Sequence, residues 1–129
     1  MYVDDDEDLV VLIKRLLVRR GYDVICYTDP AAALQVFRSR PQYFDVVVTD
    51  LSMPGMSGFD LTRELFALRP ELPILLTSGF LPAEDEQTAR RIGIRDFVPK
   101  VKTPQELANM LDRLFREIQG EEQGLSGAE

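Results

Sequence analysis

Phe44-Asp45-Val46-Val47-Val48-Thr49-Asp50 is the stretch that decides the fold. Its near-continuous β-branched run suits a strand covered on both faces, because a strand with one wet face would alternate apolar with polar residues. Strands of that kind belong to parallel sheets, whose crossover connections lay helices over each side. The run ends on a carboxylate and passes into Leu51-Ser52-Met53-Pro54-Gly55-Met56-Ser57-Gly58, where proline and glycine shape a loop. An apolar strand thus ends by presenting one acidic side chain at the edge of a sheet.

Outward from it, the same two kinds of segment alternate. Asp23–Tyr27, Leu72–Thr77 and Arg95–Val98 are further candidate strands, and Met1-Tyr2-Val3 is the end of another. Helical spacing joins Leu9, Leu12, Ile13, Leu16 and Leu17, with Gly21 where a C-terminal cap belongs. Ala33, Leu34 and Phe37 form a second stripe, behind Asp29 as N-cap and Pro30 at the first helical position. Leu61, Leu65 and Leu68 form a third, stopped by Pro70, and Ala89 and Ile92 a shorter fourth, stopped by Gly93. Leu107, Leu111, Leu114 and Ile118 form the fifth, which Thr103-Pro104-Gln105-Glu106 opens as cap, proline and third-position glutamate. Five β-α repeats imply an α/β fold, a parallel sheet with right-handed crossovers and helices on both faces.

The 129 residues suffice for one domain with a core, and the formal net charge of -7 disfavours nucleic acid or an anionic membrane as partner. One cysteine, Cys26, rules out an internal disulfide and reads as a buried strand residue. Histidine is absent, which excludes His-based catalysis, His-ligated zinc and phosphohistidine on this chain. Acidic residues from Asp4 onward leave no signal peptide, and no apolar run has the length of a membrane span, so a cytoplasmic location is expected. From Gln119 to Glu129 the chain is polar, acidic and Gly-rich, which reads as a flexible tail behind a domain of residues 1–118.

In open parallel sheets, ligands sit at the carboxyl ends of the strands. There the first strand ends in Asp4-Asp5-Asp6, the third in Asp50, the fourth in Thr77-Ser78, and Lys100 follows the fifth. Several carboxylates in one place call for a compensating cation, and oxygen ligands beside a phosphate select Mg²⁺. A carboxylate next to such an ion can act as nucleophile toward a phosphoryl group, with Thr77 and Lys100 stabilising the transferring oxygens. Asp6 also reads as a simple cap on the first helix, and Phe97 as simple core.

These residues resemble the receiver domain of two-component response regulators. The likeness rests on Val3-Asp4-Asp5-Asp6, the Asp50–Gly58 segment, Leu76-Thr77-Ser78-Gly79 and Phe97-Val98-Pro99-Lys100, and spans nearly all of residues 1–118 in order and spacing. It implies a flavodoxin-like (βα)5 sheet of order 2-1-3-4-5. It implies Asp50 as phosphoacceptor, Asp4, Asp5, Asp50 and the Ser52 backbone carbonyl around Mg²⁺, and Thr77 and Lys100 on the phosphoryl group. It further implies Thr77 and Phe97 as a switch, a histidine kinase or phosphotransfer protein as phosphodonor, and output, or a homodimer, through the fourth helix, fifth strand and fifth helix. Where the family has proline after the lysine, often with a cis bond, this chain has Val101; a cis bond without proline costs roughly 3 kcal/mol, so trans geometry is expected. The first strand has about half the usual length. That suits an excised domain, the terminal receiver of a hybrid histidine kinase, with a stand-alone regulator as the other reading.

Two other functions compete. A haloacid-dehalogenase-like phosphatase also uses an aspartyl nucleophile with Mg²⁺, but that family places a second carboxylate where Ser52 stands. A degenerate receiver would serve only for interaction, against which Asp50, Thr77 and Lys100 are all present. The expected domain assists its own phosphorylation and dephosphorylation without being a turnover enzyme.

Overall fold

The computed structural model describes residues 1–79, 82–94, 96–99 and 104–127, with backbone alone at 99 and 121–127. Along the chain run β1 (Tyr2–Val3), α1 (Glu7–Arg19), β2 (Cys26–Tyr27), α2 (Pro30–Ser39), β3 (Val47–Asp50), α3 (Gly58–Leu68), β4 (Ile74–Ser78), α4 (Ala83–Ile92), β5 (Asp96–Pro99) and α5 (Pro104–Gly127). The sheet is parallel in the order β2-β1-β3-β4-β5, as the resemblance implied.

Local chemistry starts and stops the helices where the pattern placed them. The Asp6 carboxylate accepts from the Leu9 N–H at 3.1 Å and caps α1, the plain role expected of it. Asp29 accepts from the Ala31 N–H at 3.0 Å, and Pro30 opens α2 with its φ already suited to a helix. Ser57 and Asp60 close a reciprocal capping box on α3. Gly93 ends α4 in the left-handed region at φ 102°, where a side chain would be strained. Thr103, the expected cap of α5, lies outside the described residues.

Strand alternation sorts the core into two sides. Tyr2, Val46, Val48, Leu75 and Val98 face α1 and α5, meeting Val10, Ile13, Leu17, Leu107, Ala108, Leu111 and Leu114. Val3, Val47 and Ile74 face α2 and α3, meeting Ala33, Leu34, Phe37, Leu61 and Leu65. Each fully buried side chain of this size stabilises the fold by about 1.5–3 kcal/mol, and both sheet faces depend on it. Leu76 sits farther along that second side with Leu51, Ala89 and Ile94.

Several element bounds differ from the pattern: β3 begins at Val47 and β4 at Ile74, two or three residues inside the expected runs from Phe44 and Leu72, and β2 and α5 depart further. The expected strand Asp23–Tyr27 is ladder-paired only at Cys26 and Tyr27, since its neighbour β1 begins at Tyr2 and a strand needs a partner backbone. Helical backbone in α5 continues through Gly127, into residues that read as a tail. Gln and Glu carry good helix propensity there, and each glycine costs only about 1 kcal/mol against alanine. No helix among the described residues is long and apolar enough to cross a membrane.

Candidate functional site

The register brings the chemistry together. Val3 pairs with Thr49, so Asp4 emerges from β1 beside Asp50 at the end of β3, and Asp50 pairs with Thr77 of β4. Tyr2, Val48 and Leu75 share one face of the sheet. Side chains two residues further on point the same way, which sets Asp4, Asp50 and Thr77 on that face at the carboxyl end. Asp4 is 0% exposed and Asp50 2%. Asp5, in the turn before α1, is exposed. One oxygen from each of Asp4, Asp5 and Asp50 lies within 4.8 Å of the others. That is an all-oxygen donor set, two of its members withdrawn from water, and it fits a hard divalent cation.

Hydrogen bonds fix the first of these carboxylates from both sides. Asp4 Oδ1 accepts from the Asp6 N–H at 3.0 Å, and Asp4 Oδ2 accepts from the Tyr2 hydroxyl at 3.1 Å. Burial first, and then the Asp4 carboxylate beside it, push the Tyr2 phenol above its ordinary value, so it stays protonated and donates. Asp50 Oδ1 accepts from the Ser52 N–H in a long contact of 3.4 Å, and the Asp50 carbonyl accepts from the Thr49 hydroxyl at 3.0 Å.

The loop after Asp50 depends on Gly58. Its N–H donates to the Leu51 carbonyl at 2.8 Å, and a Cβ at this position would lie 2.3 Å from the Asp50 carbonyl oxygen. Glycine therefore lets the first turn of α3 press against the end of β3 and so holds the loop over the site. Thr77 is 4% exposed, and its hydroxyl has no hydrogen-bond partner among the described residues. A buried hydroxyl left unpaired is uncommon and costs about 1–3 kcal/mol. This one sits opposite Asp50, where an incoming acceptor oxygen would satisfy it.

The open side of the site is a cleft lined by Asp5, Asp6, Asp50, Ser52, Ser78 and Asp85. Ser52 thus stands at the cleft. Phe97 pairs with Leu76 and packs half-buried beside Leu51, Ala89 and Ile94, between the sheet and α4. Lys100 and its bond to Val101 lie outside the described residues. Two participants escaped the sequence reading. Tyr2 looked like plain strand; only its neighbour two residues on, an aspartate destined for burial, hinted at a partner for the hydroxyl. Asp85 looked like an ordinary first-turn acid of α4, favourable to the helix dipole, and no local signal marks it as facing the cleft.

Comparison with known proteins supplies the family. The response regulator receiver domain model matches residues 1–112. The chain is 30% identical over 116 residues to the two-component response regulator ARR14 of Arabidopsis thaliana, covering 90% of this chain and 30% of that protein. It is 31% identical over 120 residues to the transcriptional regulatory protein CreB of Escherichia coli, covering 90% of this chain and 50% of that protein. It therefore spans from under a third to about half of these curated relatives. Among solved structures, the HemR receiver domain of Leptospira biflexa superposes with TM-score 0.81 at 30% identity, over 87% of this chain and 89% of that one. A receiver domain protein from Clostridium thermocellum gives TM-score 0.83 at 25% identity, over 92% and 94%. With the fold, the strand order and the acidic edge all in agreement, the chain belongs to the response regulator receiver domains, the CheY-like family of two-component signalling.

Proposed function

We propose that this domain takes a phosphoryl group onto Asp50 from a phosphohistidine, with Mg²⁺ held by Asp4, Asp5, Asp50 and the Ser52 carbonyl. Receiver domains bind Mg²⁺ in their acidic pocket and interact with histidine kinases or phosphotransfer proteins. The observation that carries the assignment to these residues is the buried Asp50 carboxylate, with Asp4 and Asp5 oxygens within 4.8 Å and an unpartnered Thr77 hydroxyl in register beside it.

The bound cation supplies charge neutralisation for the oxygens of the transferring group. The chain's own residues do the rest. Asp50, fixed at the end of β3, offers a carboxylate oxygen in line with the phosphorus. A new P–O bond forms as the donor's P–N bond breaks, and the leaving imidazole keeps the electron pair and takes a proton from solvent. Thr77 then donates its hydroxyl to a phosphoryl oxygen, and Lys100 pairs with another. The movement of Thr77 and the rotation of Phe97 between sheet and α4 alter the surface of α4, β5 and α5, a population shift limited by those new contacts. We take residues 1–118 as the working unit, since Ile118 is the last of the described side chains of α5 that packs on the core.

Incubation with acetyl phosphate and Mg²⁺ tests the assignment by intact-mass spectrometry. One phosphoryl group per chain is expected, lost on chelation and lost in Asp50→Asn. An adduct that survives Asp50→Asn refutes the site. Absence of any adduct in the wild type would favour a degenerate receiver that only binds partners.

A further inference from the structure

We propose that Tyr2 is a positioning residue for the carboxylate site, its phenol holding Asp4 in the orientation that turns an oxygen toward Asp5 and Asp50. The inference rests on the reading of Asp4 as part of the Mg²⁺ site. Tyr2 is 2% exposed and belongs to the core cluster of Val10, Ile13, Leu17, Val48 and Leu111. A hydroxyl buried to that degree needs a partner, and the Asp4 carboxylate is the one it has. Residues i and i+2 of a strand share a face, which places that donor against Asp4. The contact is 3.1 Å to Oδ2, while the Asp6 N–H holds Oδ1 at 3.0 Å.

These two donors differ in kind. Any residue at position 6 except proline would supply the backbone N–H. Only tyrosine at position 2 supplies both the apolar body that the α1–α5 side of the sheet needs and a hydroxyl at its far end. An aliphatic residue would serve the core without burying a polar group that needs a partner. The hydroxyl therefore acts on Asp4. A carboxylate oxygen has two lone pairs, so accepting from Tyr2 leaves capacity for a cation. Rotation of the Asp4 side chain away from Asp5 and Asp50 would break both hydrogen bonds at once. Donors behind a ligating carboxylate act in this way, orienting the ligand without touching the metal.

The test removes one oxygen atom and keeps the ring. Mg²⁺ is titrated calorimetrically into wild type, Tyr2→Phe, Asp4→Asn and the double variant, with Val48→Ala as a core control in register with Tyr2. Loss of the hydroxyl is expected to weaken Mg²⁺ binding about 10-fold. In the Asp4→Asn background the same change is expected to do nothing further, because the effect runs through Asp4. Val48→Ala, which loosens the same cluster without touching the carboxylates, is expected to bind Mg²⁺ as the wild type does. Equal or tighter binding by Tyr2→Phe overturns the proposal while leaving the Mg²⁺ reading intact. So does an undiminished loss in the double variant, an equal loss in Val48→Ala, or a Tyr2→Phe chain that fails to fold. A wild type that takes up no Mg²⁺ overturns both.

Discussion

At the amino ends of the strands, Met1, Val24, Phe44, Val46, Leu111 and Phe115 line a cleft of about 220 Å³. At the carboxyl ends of the same strands, Asp4, Asp50, Thr77 and Ser78 are buried. Both ends hold polar groups, but they treat them differently. At the amino end the Tyr22 hydroxyl donates to Asp112, and Asp112 is paired with Arg20 at 2.8 Å, which ties α1 to α5. The polar groups there serve the fold. At the carboxyl end three carboxylates crowd together, and the Thr77 hydroxyl has no partner among the described residues. Polar groups at the amino end tie helix to helix, whereas the carboxyl end gathers three carboxylates and a buried hydroxyl at one edge of the sheet. A buried hydroxyl left unpaired calls for an explanation, and a working site is one.

The contrast is most severely tested at Gly58. Adding one methyl group there drives a Cβ into the Asp50 carbonyl, a backbone atom that cannot step aside without moving Asp50. Gly58→Ala is expected to lower unfolding stability by about 3 kcal/mol in urea titrations and to slow phosphorylation by acetyl phosphate. A variant as stable as wild type would show that the loop is free to shift and that Gly58 does not fix it against the end of β3.

Thr77→Val probes the unpaired hydroxyl with little change of shape. If its burial is a cost tolerated for function, the variant should be more stable than the wild type by about 1 kcal/mol when unphosphorylated and metal-free. It should also fail to transmit the effect of beryllofluoride, a phosphoryl mimic, to amide signals of Phe97 and α4. Destabilisation with transmission intact would dissolve the distinction between the two ends.

The smallest effect is expected at the amino end. The Tyr22 hydrogen bond first, and then Arg20, hold the Asp112 carboxyl below its ordinary value of 3.8. A carboxyl depressed by folding contributes stability that is present above its unfolded pKa and lost as pH falls through the lower folded one. The pair is partly exposed, so the contribution is modest and weakened by salt. Asp112→Asn should therefore be slightly less stable than the wild type at neutral pH, and the gap should close below about pH 4. A gap independent of pH would mean that packing of Tyr22 against Phe115, whose rings are 5.3 Å apart, carries the link instead.

Much of this molecule was legible in its local pattern. The Phe44–Thr49 run reads as a strand, and its Val47–Thr49 part is one, buried on both faces because both faces are covered; the N-caps at Asp6 and Asp29 work through hydrogen bonds spanning two or three residues. Gly93 was readable as a helix stop because the left-handed conformation belongs to the residue itself. Asp4, Asp5, Asp50 and Thr77 could be placed at one edge from sequence alone, since parallel strands all end on the same side.

Where a long-range contact decides, the pattern was silent. The pairing of β2 only at Cys26 and Tyr27 follows from where its neighbour lies, not from the Asp23–Tyr27 residues themselves. Asp85 comes to the cleft because α4 docks with that turn facing Ser78 and Ser52, a matter of helix placement that its first-turn acidity does not encode. Composition and periodicity determined the five β-α repeats, the acidic edge and the carboxylate offered for chemistry, because those depend on residue type and on spacing along one element. Only the tertiary structure decided that the Tyr2 ring is buried with its hydroxyl on Asp4, that Gly58 lies against the Asp50 carbonyl and that the Thr77 hydroxyl has no partner among the described residues, because each depends on how the elements pack.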